Sequence, residues 1–411
     1  MIPFDEAVQL IEQTVRPLPP EAIPLERVAG RVLASDVTAD IDSPPYDKSM
    51  MDGFALRSED IADGVRRFDV IATIAAGDVP DCSVETGQCC RIMTGAPIPD
   101  GSDCVVVIEW TETREDEGRP VMTCEIPEGT PVPSGRHIIR LGENIQKDSR
   151  VFQTGQTVQP TATGLLAEIG ASELQVFKRP RVAVIPTGSE LVDCSRFPGP
   201  AQIRNSNGPM LQAMLQADGC SEVHDAGIVG DDEGALRAAI ENGLQHDMLL
   251  LTCGVSMGQF DLVPGILCEA GVEQVFHKVK MKPGKPVWFG VRERNGQRCY
   301  VFGLPGNPVS SLVGYQLLVR EALRMLGGGT GHQGKKVQAV LSTDHHARGD
   351  RPTFWPGKLV PDPDSPTRIV QPLSWRGSSD MSPLTETELL ICFPAGTRLH
   401  QKDATVEAIL I

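Results

Sequence analysis

Apolar and polar residues alternate with different periods in different parts of this chain. Near the start, "PFDEAVQLIEQTV" has apolar residues at helical spacing, and the next stretch, "IPLERVAGRVLASDVTADI", changes to short β-type runs. From residue 45 to about 144, short strand patterns alternate with Gly and Pro turns, as in "CCRIMTGAPIPDGSDCVVVIEW", which predicts an all-β segment. Pro160 then opens a second helix, "PTATGLLAEIG", which Gly170 can close.

Strands, loops and helices follow one another from residue 178 to about 328. The apolar runs in "RVAVIPTGSEL", "HDMLLLTCGVSMGQFD" and "YVFGLPGNPVSS" are continuous, and Asn307 with Pro308 starts a long amphipathic helix. Continuous apolar strands joined through helices imply a parallel sheet that is covered on both faces. An Asn-Gly turn at Asn295 and Gly296 predicts a hairpin, so one edge of this sheet is expected to be antiparallel.

The length of 411 residues supports two to four domains, at about 150 residues per domain. We expect a multidomain α/β plus β protein around a doubly wound, mostly parallel α/β domain. Renewed alternation after "GGGTGHQGKK" predicts a small β domain at the end of the chain. The expected divisions are an N-terminal mixed domain at 1–44 and 145–177, an inserted β-rich domain at 45–144, the α/β domain at 178–328, and the C-terminal β domain at 329–411.

The net charge of the chain makes some classes of binding partner unfavourable. With 54 acidic and 38 basic residues, the formal net charge is -16, which disfavours general binding to nucleic acid or anionic membranes. The start, "MIPFDEAVQL", lacks the pattern of a signal peptide, and no apolar stretch approaches the roughly 20 residues of a spanning helix. We therefore expect a cytoplasmic protein. The 11 cysteines are scattered, which favours small buried hydrophobes over metal ligands.

Three glycine-containing loops follow the apolar strands. "PTGSEL" carries Thr187 and Glu190, "CGVSMGQFD" carries Ser256 and Asp261, and "GLPGNPVSS" offers a Pro-Gly turn before a helix. In an open parallel sheet, ligands bind beyond the carboxyl ends of the strands, so these loops are expected to converge on one ligand site. Any one of them alone is as well explained as a plain connector.

Lysines concentrate in "HKVKMKPGKP", an unusual feature in an acidic chain. An extended segment would place Lys278, Lys280 and Lys282 on one face and the intervening Val and Met on the other, and the "PG" turn would bring Lys285 near. This pattern predicts a cradle for a phosphorylated or otherwise anionic ligand. The alternative is a solvated edge strand that is protected by its charge.

Carboxylates in the same regions are candidate ligands of Mg²⁺. Asp52, Glu190, Asp231 and Asp261 offer the oxygen atoms that hard divalent cations prefer. Asp231 and Asp232 fit equally well as caps of the helix "DEGALRAAI". "GGTGHQGKK" nearly matches a phosphate-binding P-loop, but a helix precedes it and a strand follows, so we interpret it as a linker.

Six motifs together carry a resemblance to a known family. In this order, "SPPYDKSMMDGFA", "IMTGAPIPDGSD", "PTGSEL", "CGVSMGQFD", "MKPGKP" and "GLPGNPVSS" resemble the molybdopterin molybdenumtransferase family, which includes the bacterial MoeA enzymes and the gephyrin E domain. The resemblance covers nearly the whole chain. It implies a homodimer of four-part subunits, with an α/β part of the molybdopterin-binding type, that inserts molybdate into adenylylated molybdopterin, requires Mg²⁺ and releases AMP.

The resemblance, together with the loop and lysine patterns, also implies roles for particular residues. The implied catalytic residues are Asp52, Glu190, Asp261, Lys278 and Lys282. The implied substrate-binding residues are Thr94, Thr187, Ser256, Lys285, Pro305, Arg351 and Ser378. Asp231 and Asp261 are the implied metal ligands. Arg351 and Ser378 look like the residues that the last domain contributes to the partner subunit's site, and a molybdopterin adenylyltransferase and molybdoenzymes are further implied partners.

Three positions depart from the family pattern. In "HIIRLGEN", Ile139 replaces the arginine of N-[IV]-R-x-x-G-E-D and Asn144 replaces its aspartate, while Cys253 stands where a glycine is usual. Two other functions therefore stay open beside the transferase. One is a catalytically weakened paralogue that acts as a molybdopterin-binding or scaffold protein. The other is a molybdopterin adenylyltransferase, which would leave the parts outside the α/β domain unexplained.

Overall fold

A computed structural model describes residues 1–253, 262–329, 336–362 and 367–411. The chain divides into two compact units, one of residues Ala22–Gln175 and one of residues Met1–Glu21 with Val176–Ile411. Each unit is described by itself below. Strands Pro20–Pro24 and Glu173–Phe177 carry the chain across the two boundaries.

The unit Ala22–Gln175 is built on a six-stranded sheet, and all of its residues are described. In spatial order the strands are Cys104–Val107, Gly53–Leu56, Gln88–Ile92, Arg67–Ile74, Arg119–Cys124 and Thr111–Asp116. Neighbouring strands are antiparallel except for Arg67–Ile74 and Gln88–Ile92. Phe54 and Cys89 pack in one apolar cluster, whereas Ala55 and Cys90 pack in another, because consecutive strand residues point to opposite faces.

Short elements complete this unit. They are helices Ser58–Ala62 and Ala162–Glu168, 3₁₀ turns Leu25–Arg27 and Ile108–Trp110, and the strand pairs Val37–Thr38 with Arg150–Phe152 and Lys48–Ser49 with Ile138–Ile139. The strands predicted from residue 45 to 144 are present, but the segment is not all β, because helix Ser58–Ala62 and the 3₁₀ turn Ile108–Trp110 lie within it. Gly170, at φ +80°, follows the second helix at the position where the sequence predicts its end.

A second sheet organises the other unit. In spatial order its described strands are Glu222–Asp225, Arg181–Pro186, Met248–Thr252, Gln297–Leu304, Trp288–Arg294 and Glu273–His277. The first four are parallel, and Trp288–Arg294 runs antiparallel to both of its neighbours, so one edge of the sheet has antiparallel pairing, as the sequence predicts. Arg294 pairs with Gln297 across a two-residue turn. Asn295 and Gly296 have φ values of 52° and 77°, the left-handed conformation that this hairpin turn requires.

Helices cover both faces of this sheet. The described helices are Phe4–Thr14, Asn207–Ala217, Glu233–Gly243, Val263–Glu269 and Pro308–Gly314. The last of these continues through a π-helical segment at Tyr315–Val319 into helix Arg320–Leu326. Val184 and Leu250 belong to the apolar cluster on one face, and Ile185 and Leu251 to the cluster on the other. Because both faces are buried, the strand sequences are continuously apolar.

Helix Phe4–Thr14 packs in the α/β unit, where Ala7 and Ile11 are fully buried in the same cluster as Val184 and Leu250. Residues 1–21 are therefore grouped with the α/β strands and not with residues 22–175. The finer division of the chain into four domains stays a prediction.

A closed five-stranded barrel forms the C-terminal part of the described chain. In order around the barrel, the strands are Lys336–Leu341, Ile369–Pro372, Thr353–Val360, Leu389–Phe393 and Thr405–Leu410. Smaller elements in this unit are the strand pairs Ile2–Pro3 with Val279–Lys280, Leu191–Val192 with Ile203–Arg204 and His345–Ala347 with Arg398–His400, and the 3₁₀ turn Ser382–Thr385. The β pattern predicted for the end of the chain is confirmed.

Candidate functional site

Thr187 ties together the carboxyl ends of two parallel strands. Its backbone N–H and its hydroxyl both donate to the carbonyl oxygen of Thr252, at 3.0 and 2.9 Å. The side chain is 1% exposed, so its hydroxyl is used inside the protein. Thr187 was predicted to bind substrate. The structure instead places it to fix the loop that follows it.

The next residues of that loop meet the loop after strand Glu222–Asp225. Ser189 N–H donates to Asp231 Oδ2 at 3.0 Å, and Asp231 N–H donates to Ser189 Oγ at 3.1 Å. Glu190 folds its carboxylate back over Gly188, where a Cβ would collide with the Glu190 Oε2 atom. Gly188 also has φ +138°, a conformation that favours glycine. The structure thus brings Glu190 and Asp231 to the same end of the sheet.

The neighbouring Asp232 caps helix Glu233–Gly243. Its Oδ1 accepts a hydrogen bond of 2.8 Å from the N–H of Ala235, which is the bond expected of an N-cap residue. Of the two roles left open by the sequence, the cap thus belongs to Asp232. The carboxylate of Asp231 faces the Ser189 loop.

The "LPGNP" loop is held from three directions. Ser311 Oγ donates to the Pro305 carbonyl oxygen, and Asn207 Nδ2 donates to the Gly306 carbonyl oxygen at 2.7 Å. Asn307 begins helix Pro308–Gly314, as predicted, but its side chain does not cap it. Instead Asn307 Nδ2 donates to Ser378 Oγ at 3.0 Å.

Ser378 also accepts a hydrogen bond of 3.0 Å at its carbonyl oxygen from the N–H of Val309. The residue predicted to serve the partner subunit therefore contacts the helix start next to Pro305 of its own chain. Asn207 is a residue that the sequence analysis missed. It is 6% exposed, and its Oδ1 has no hydrogen-bond partner within the described part of the structure. An asparagine at the start of a helix is so common a cap that it gave no separate signal.

Burial alternates along the lysine-rich segment as predicted. Val279 and Met281 are fully buried, whereas Lys280 and Lys285 are exposed and Lys282 is partly buried. The extended conformation is short, because the strand covers only Val279–Lys280.

Lys278 precedes this strand with φ +69°, which is uncommon for a residue other than glycine. Its N–H nevertheless donates to the Val287 carbonyl oxygen at 2.9 Å, and its own carbonyl oxygen accepts from Ile2. The backbone of Lys278 is thus fixed from both sides.

Lys282 and Arg351 lie together where the lysine-rich segment meets the C-terminal barrel. The Lys282 N–H donates to the Pro352 carbonyl oxygen at 2.9 Å, and the Lys282 carbonyl oxygen accepts from Phe354 N–H at 2.8 Å. Arg351 Nη1 donates to the Met281 carbonyl oxygen at 3.1 Å. Lys282 Nζ donates to the Arg348 carbonyl oxygen at 3.2 Å. Two predicted site residues from distant segments are thus joined within one chain.

In the unit Ala22–Gln175, Asp52 and Thr94 form a pair. The N–H and the hydroxyl of Thr94 both donate to Asp52 Oδ1, at 2.7 and 2.8 Å. The bond from the Thr94 N–H is the largest cause that lowers the pKa of Asp52 below its ordinary value, and the bond from the Thr94 hydroxyl is the second largest. The carboxylate is exposed and ionised at neutral pH.

The pairing follows from the sheet. Gly53, directly after Asp52, pairs with Ile92, two residues before Thr94. Gly53 is required here because a Cβ would collide with the carbonyl oxygen of Val106 on the next strand.

Two of the three positions that depart from the family pattern, Ile139 and Asn144, lie in the same unit, whereas Cys253 directly follows strand Met248–Thr252 of the other unit, with φ +71°. Ile139 is paired with Lys48 in a short antiparallel ladder. Arg140 Nη1 binds Asp47 Oδ2 at 2.6 Å, and the N–H of Leu141 donates to Asp47 Oδ1 at 2.7 Å. Burial alone would raise the pKa of Asp47, but these two hydrogen bonds outweigh it and the pKa is lowered. Arg140 is therefore engaged with Asp47, a partner that the sequence analysis did not identify.

Some predictions fall outside the described residues. Ser256 and Asp261 lie in the segment 254–261, and most of the linker that resembles a P-loop lies in 330–335. Among the residues that are described, no group of three or more His, Cys, Asp or Glu side chains is arranged to hold a metal ion. Over the same described ranges, no helix has both the length and the apolar character needed to cross a membrane.

Loops at the carboxyl ends of a parallel sheet, tied to one another and placed in one chain with a lysine-rich segment, are typical of α/β proteins that bind anionic ligands. Comparisons with known proteins give the family. The model of the MoeA N-terminal region (domain I and II) matches residues 2–170, and the model of a probable molybdopterin-binding domain matches residues 183–325.

Relatives match over most or all of the chain. A molybdopterin molybdenumtransferase of Bacillus subtilis (strain 168) is 34% identical over 429 residues, which cover 100% of this chain and 94% of that protein. A molybdopterin molybdenumtransferase of Synechococcus elongatus is 38% identical over 335 residues, which cover 79% of this chain and 80% of that protein.

Solved structures agree. A molybdopterin biosynthesis MoeA protein from Pyrococcus horikoshii OT3 has a TM-score of 0.80 at 27% identity, covering 100% of both chains. A second structure of a Pyrococcus molybdopterin biosynthesis MoeA protein has a TM-score of 0.81 at 29% identity, covering 100% of this chain and 99% of that chain. The chain belongs to the molybdopterin molybdenumtransferase family, an enzyme family of molybdenum cofactor biosynthesis. The resemblance carried by the six sequence motifs is confirmed.

Proposed function

We propose that this protein inserts molybdate into adenylylated molybdopterin in a Mg²⁺-dependent reaction that releases AMP. Membership of the family supports the class of reaction. The observation that carries the proposal is the junction at Lys282 and Arg351, where two cationic residues from distant segments are fixed by backbone hydrogen bonds. A small ligand with several phosphate and oxyanion charges needs such a concentrated cationic site in a protein with a net charge of -16.

Cationic residues have the anion-binding role in this proposal. Lys278, Lys282 and Lys285 hold phosphate and oxyanion charge, and Arg351 adds a planar donor that suits phosphate. Thr187 contributes indirectly, because its buried hydroxyl fixes the loop that carries Glu190.

Pro305 and Ser378 shape the neighbouring substrate loop. Ser311 holds the Pro305 carbonyl oxygen, and Ser378 holds Asn307 and Val309 at the start of the following helix. We also keep Ser256 as a proposed contact with the substrate. Because these groups are positioned before the ligand arrives, binding costs less conformational entropy.

Carboxylates have the complementary role. The donor chemistry of Glu190 and Asp231 fits Mg²⁺, because both present carboxylate oxygens from loops that are hydrogen-bonded to each other, and Asp261 is proposed as a further ligand. Bound Mg²⁺ would supply stabilisation of the negative charge that develops on the phosphate oxygens. Asp52, kept ionised by Thr94, is proposed to orient the attacking water and to accept its proton.

The remaining proposals concern assembly and location. We propose a cytoplasmic homodimer of four-part subunits, with a molybdopterin adenylyltransferase as the source of substrate and molybdoenzymes as recipients of the product. The family implies each of these features.

One assay tests the proposed activity. Purified protein is mixed with adenylylated molybdopterin, Mg²⁺ and molybdate, and AMP is followed by chromatography. We expect AMP release that depends on molybdate and is lost when Mg²⁺ is chelated. Tight binding of the adenylylated pterin without AMP release would contradict the transferase and favour a binding or scaffold protein. Pyrophosphate release from ATP and molybdopterin would favour an adenylyltransferase.

The scaffold alternative has one structural observation in its favour. Arg140 is the cation next to the substituted position Ile139, and its guanidinium is held by Asp47. If the arginine that the family places at position 139 is needed for turnover, Arg140 replaces it only by leaving Asp47. The AMP assay with an Ile139→Arg variant separates the cases, because a gain of activity would identify the wild-type protein as a weakened paralogue.

A further inference from the structure

Two thiols lie in contact inside the unit Ala22–Gln175. The Sγ atoms of Cys82 and Cys90 are 3.5 Å apart, and both cysteines are free. Cys90 lies in the strand Gln88–Ile92 and is fully buried, whereas Cys82 lies in the preceding loop and is partly exposed. A disulfide requires an S–S distance of about 2.05 Å, so the two sulfurs need only a small side-chain movement to bond.

The backbone holds both residues in place. Next to Cys82, Ser83 forms a β-bridge with Asp100, and Val84 N–H donates to the Asp100 carbonyl oxygen at 2.8 Å. Cys90 pairs with Ala55 on one side and with Ala72 on the other. The contact between the sulfurs is therefore a property of two anchored segments.

The adjacent cysteine does not share this contact. Cys89 points to the opposite face of the sheet, where it packs in a separate apolar cluster with Cys104 and Cys124. Cys90 packs in the cluster that Cys82 also contacts. Of the four cysteines in the strands of this sheet, only Cys90 thus faces Cys82.

We propose that Cys82 and Cys90 form a reversible disulfide when the protein meets hydrogen peroxide. In the first step the Cys82 sulfur attacks the peroxide, the O–O bond breaks, and a sulfenic acid and one water are formed. In the second step the Cys90 sulfur attacks the Cys82 sulfur, the S–S bond forms, the S–O bond breaks, and a second water leaves with the Cys90 proton. Two thiols and one peroxide thus give one disulfide and two waters.

The order of the steps follows from burial. Of these two cysteines, only Cys82 is accessible to peroxide from solvent. Burial, followed by the hydrogen bond with Cys82, raises the pKa of the Cys90 thiol to about 12, so Cys90 is a poor nucleophile towards oxidants in solution. It reacts because the sulfenic sulfur of Cys82 is already in contact with it.

Peptide mapping of the full-length protein tests the proposal. Reduced protein is treated with hydrogen peroxide and unfolded in denaturant, free thiols are then blocked with iodoacetamide, and the protein is digested with trypsin. Fragment 68–91 contains Cys82, Cys89 and Cys90 together. We expect this fragment to carry a single label, on Cys89, and to have lost two hydrogens. If the oxidised protein is first treated with dithiothreitol, all three cysteines should be labelled.

Variants make the result specific. In Cys82→Ala, peroxide should leave both Cys89 and Cys90 available for labelling, and the partly exposed position favours normal folding. Cys124→Ala removes a buried cysteine of the other cluster and should leave the disulfide unchanged. Three labels after peroxide, a sulfinic acid on Cys82 without a disulfide, or a disulfide that includes Cys89 would each overturn the proposal.

Discussion

Lys282 is fixed along its whole length, with its backbone bonded to Pro352 and Phe354 and its ammonium bonded to Arg348. Because the ammonium is positioned in advance, we expect Lys282→Ala to weaken binding of adenylylated molybdopterin by about 1.5–3 kcal/mol, the range for hydrogen bonds to charged groups. That corresponds to a roughly ten- to hundredfold rise in Kd. Isothermal titration calorimetry measures the change directly.

Lys280→Ala is the matched control. It removes the same charge from an exposed residue that lies two positions before Lys282. Its effect should stay within about 0.5 kcal/mol, as for most surface substitutions. If Lys282→Ala bound the pterin as tightly as Lys280→Ala does, Lys282 would have no place in the proposed anion site.

At the scale of single elements, helix Glu233–Gly243 depends on its cap. Asp232→Ala removes the acceptor of the Ala235 N–H and should cost about 1 kcal/mol locally. The loss should appear as faster amide hydrogen exchange in the first turn of the helix, measured by mass spectrometry.

Asp231→Ala serves as the control for this prediction. Asp231 accepts from Ser189 and not from the helix, so its removal should speed exchange in the Ser189 loop and leave the helix start protected. Equal effects of the two variants on the helix would show that the assignment of the cap is wrong.

Strand His345–Ala347, which packs beside the C-terminal barrel, contains a histidine whose surroundings favour its neutral form. His345 stacks on Phe393 and meets the edge of Trp355. Burial, followed by repulsion from His400 and His346, lowers the pKa of His345 from its ordinary 6.5 to about 4. The unfolded chain therefore binds a proton before the folded barrel does. The stability from neutral His345 is fully present above pH 6.5 and is lost progressively as the pH falls towards 4.

His345→Phe should consequently make the barrel less sensitive to acid. Differential scanning calorimetry between pH 7.5 and 4.5 is expected to show a smaller fall in Tm for His345→Phe than for wild type. His346→Gln removes only the last-named contribution to the lowered pKa, so it should change the pH dependence less than His345→Phe does. An unchanged pH dependence in His345→Phe would contradict the role assigned to this residue.

At the scale of the whole molecule, the question is whether a site is built from one chain or two. The sequence resemblance suggested that Arg351 serves the partner subunit, yet Arg351 and Lys282 are joined through hydrogen bonds within one chain. If the protein forms the proposed homodimer, a mixed dimer of Lys282→Ala and Arg351→Ala subunits would have both sites damaged when each site is built within one chain.

We therefore expect no recovery of AMP release when the two variants are co-expressed and the mixed dimer is purified with two affinity tags. A dimer of wild-type and doubly substituted subunits is the control, and it should keep about half of the activity because one of its two sites is intact. Recovery in the mixed dimer would show that Arg351 acts on the other subunit.

Some features of this protein could be predicted from the sequence and others could not, because some depend on neighbouring residues and others on contacts between distant segments. The hairpin at Asn295 and Gly296 is decided by two neighbouring residues with unusual backbone angles, so local sequence suffices. The pairing of Asp52 with Thr94 depends on strand register, and the hydrogen bonds that join Met281 and Lys282 to residues 351 to 354 depend on packing the barrel against a loop. No local pattern encodes such contacts. Motif matching anticipated the residues involved, but not that Arg140 would bind Asp47.

Gly53 has a consequence for how this protein can diverge. The strand after Asp52 passes so close to Val106 that no side chain fits, so the position of the Asp52 backbone is the same whatever else changes nearby. Drift in ligand preference on this side of the molecule is therefore expected to proceed through the turn that bears Thr94, whose side chain is exposed. In relatives with a different substrate, we would expect Gly53 to be retained and the residues of the turn that bears Thr94 to differ.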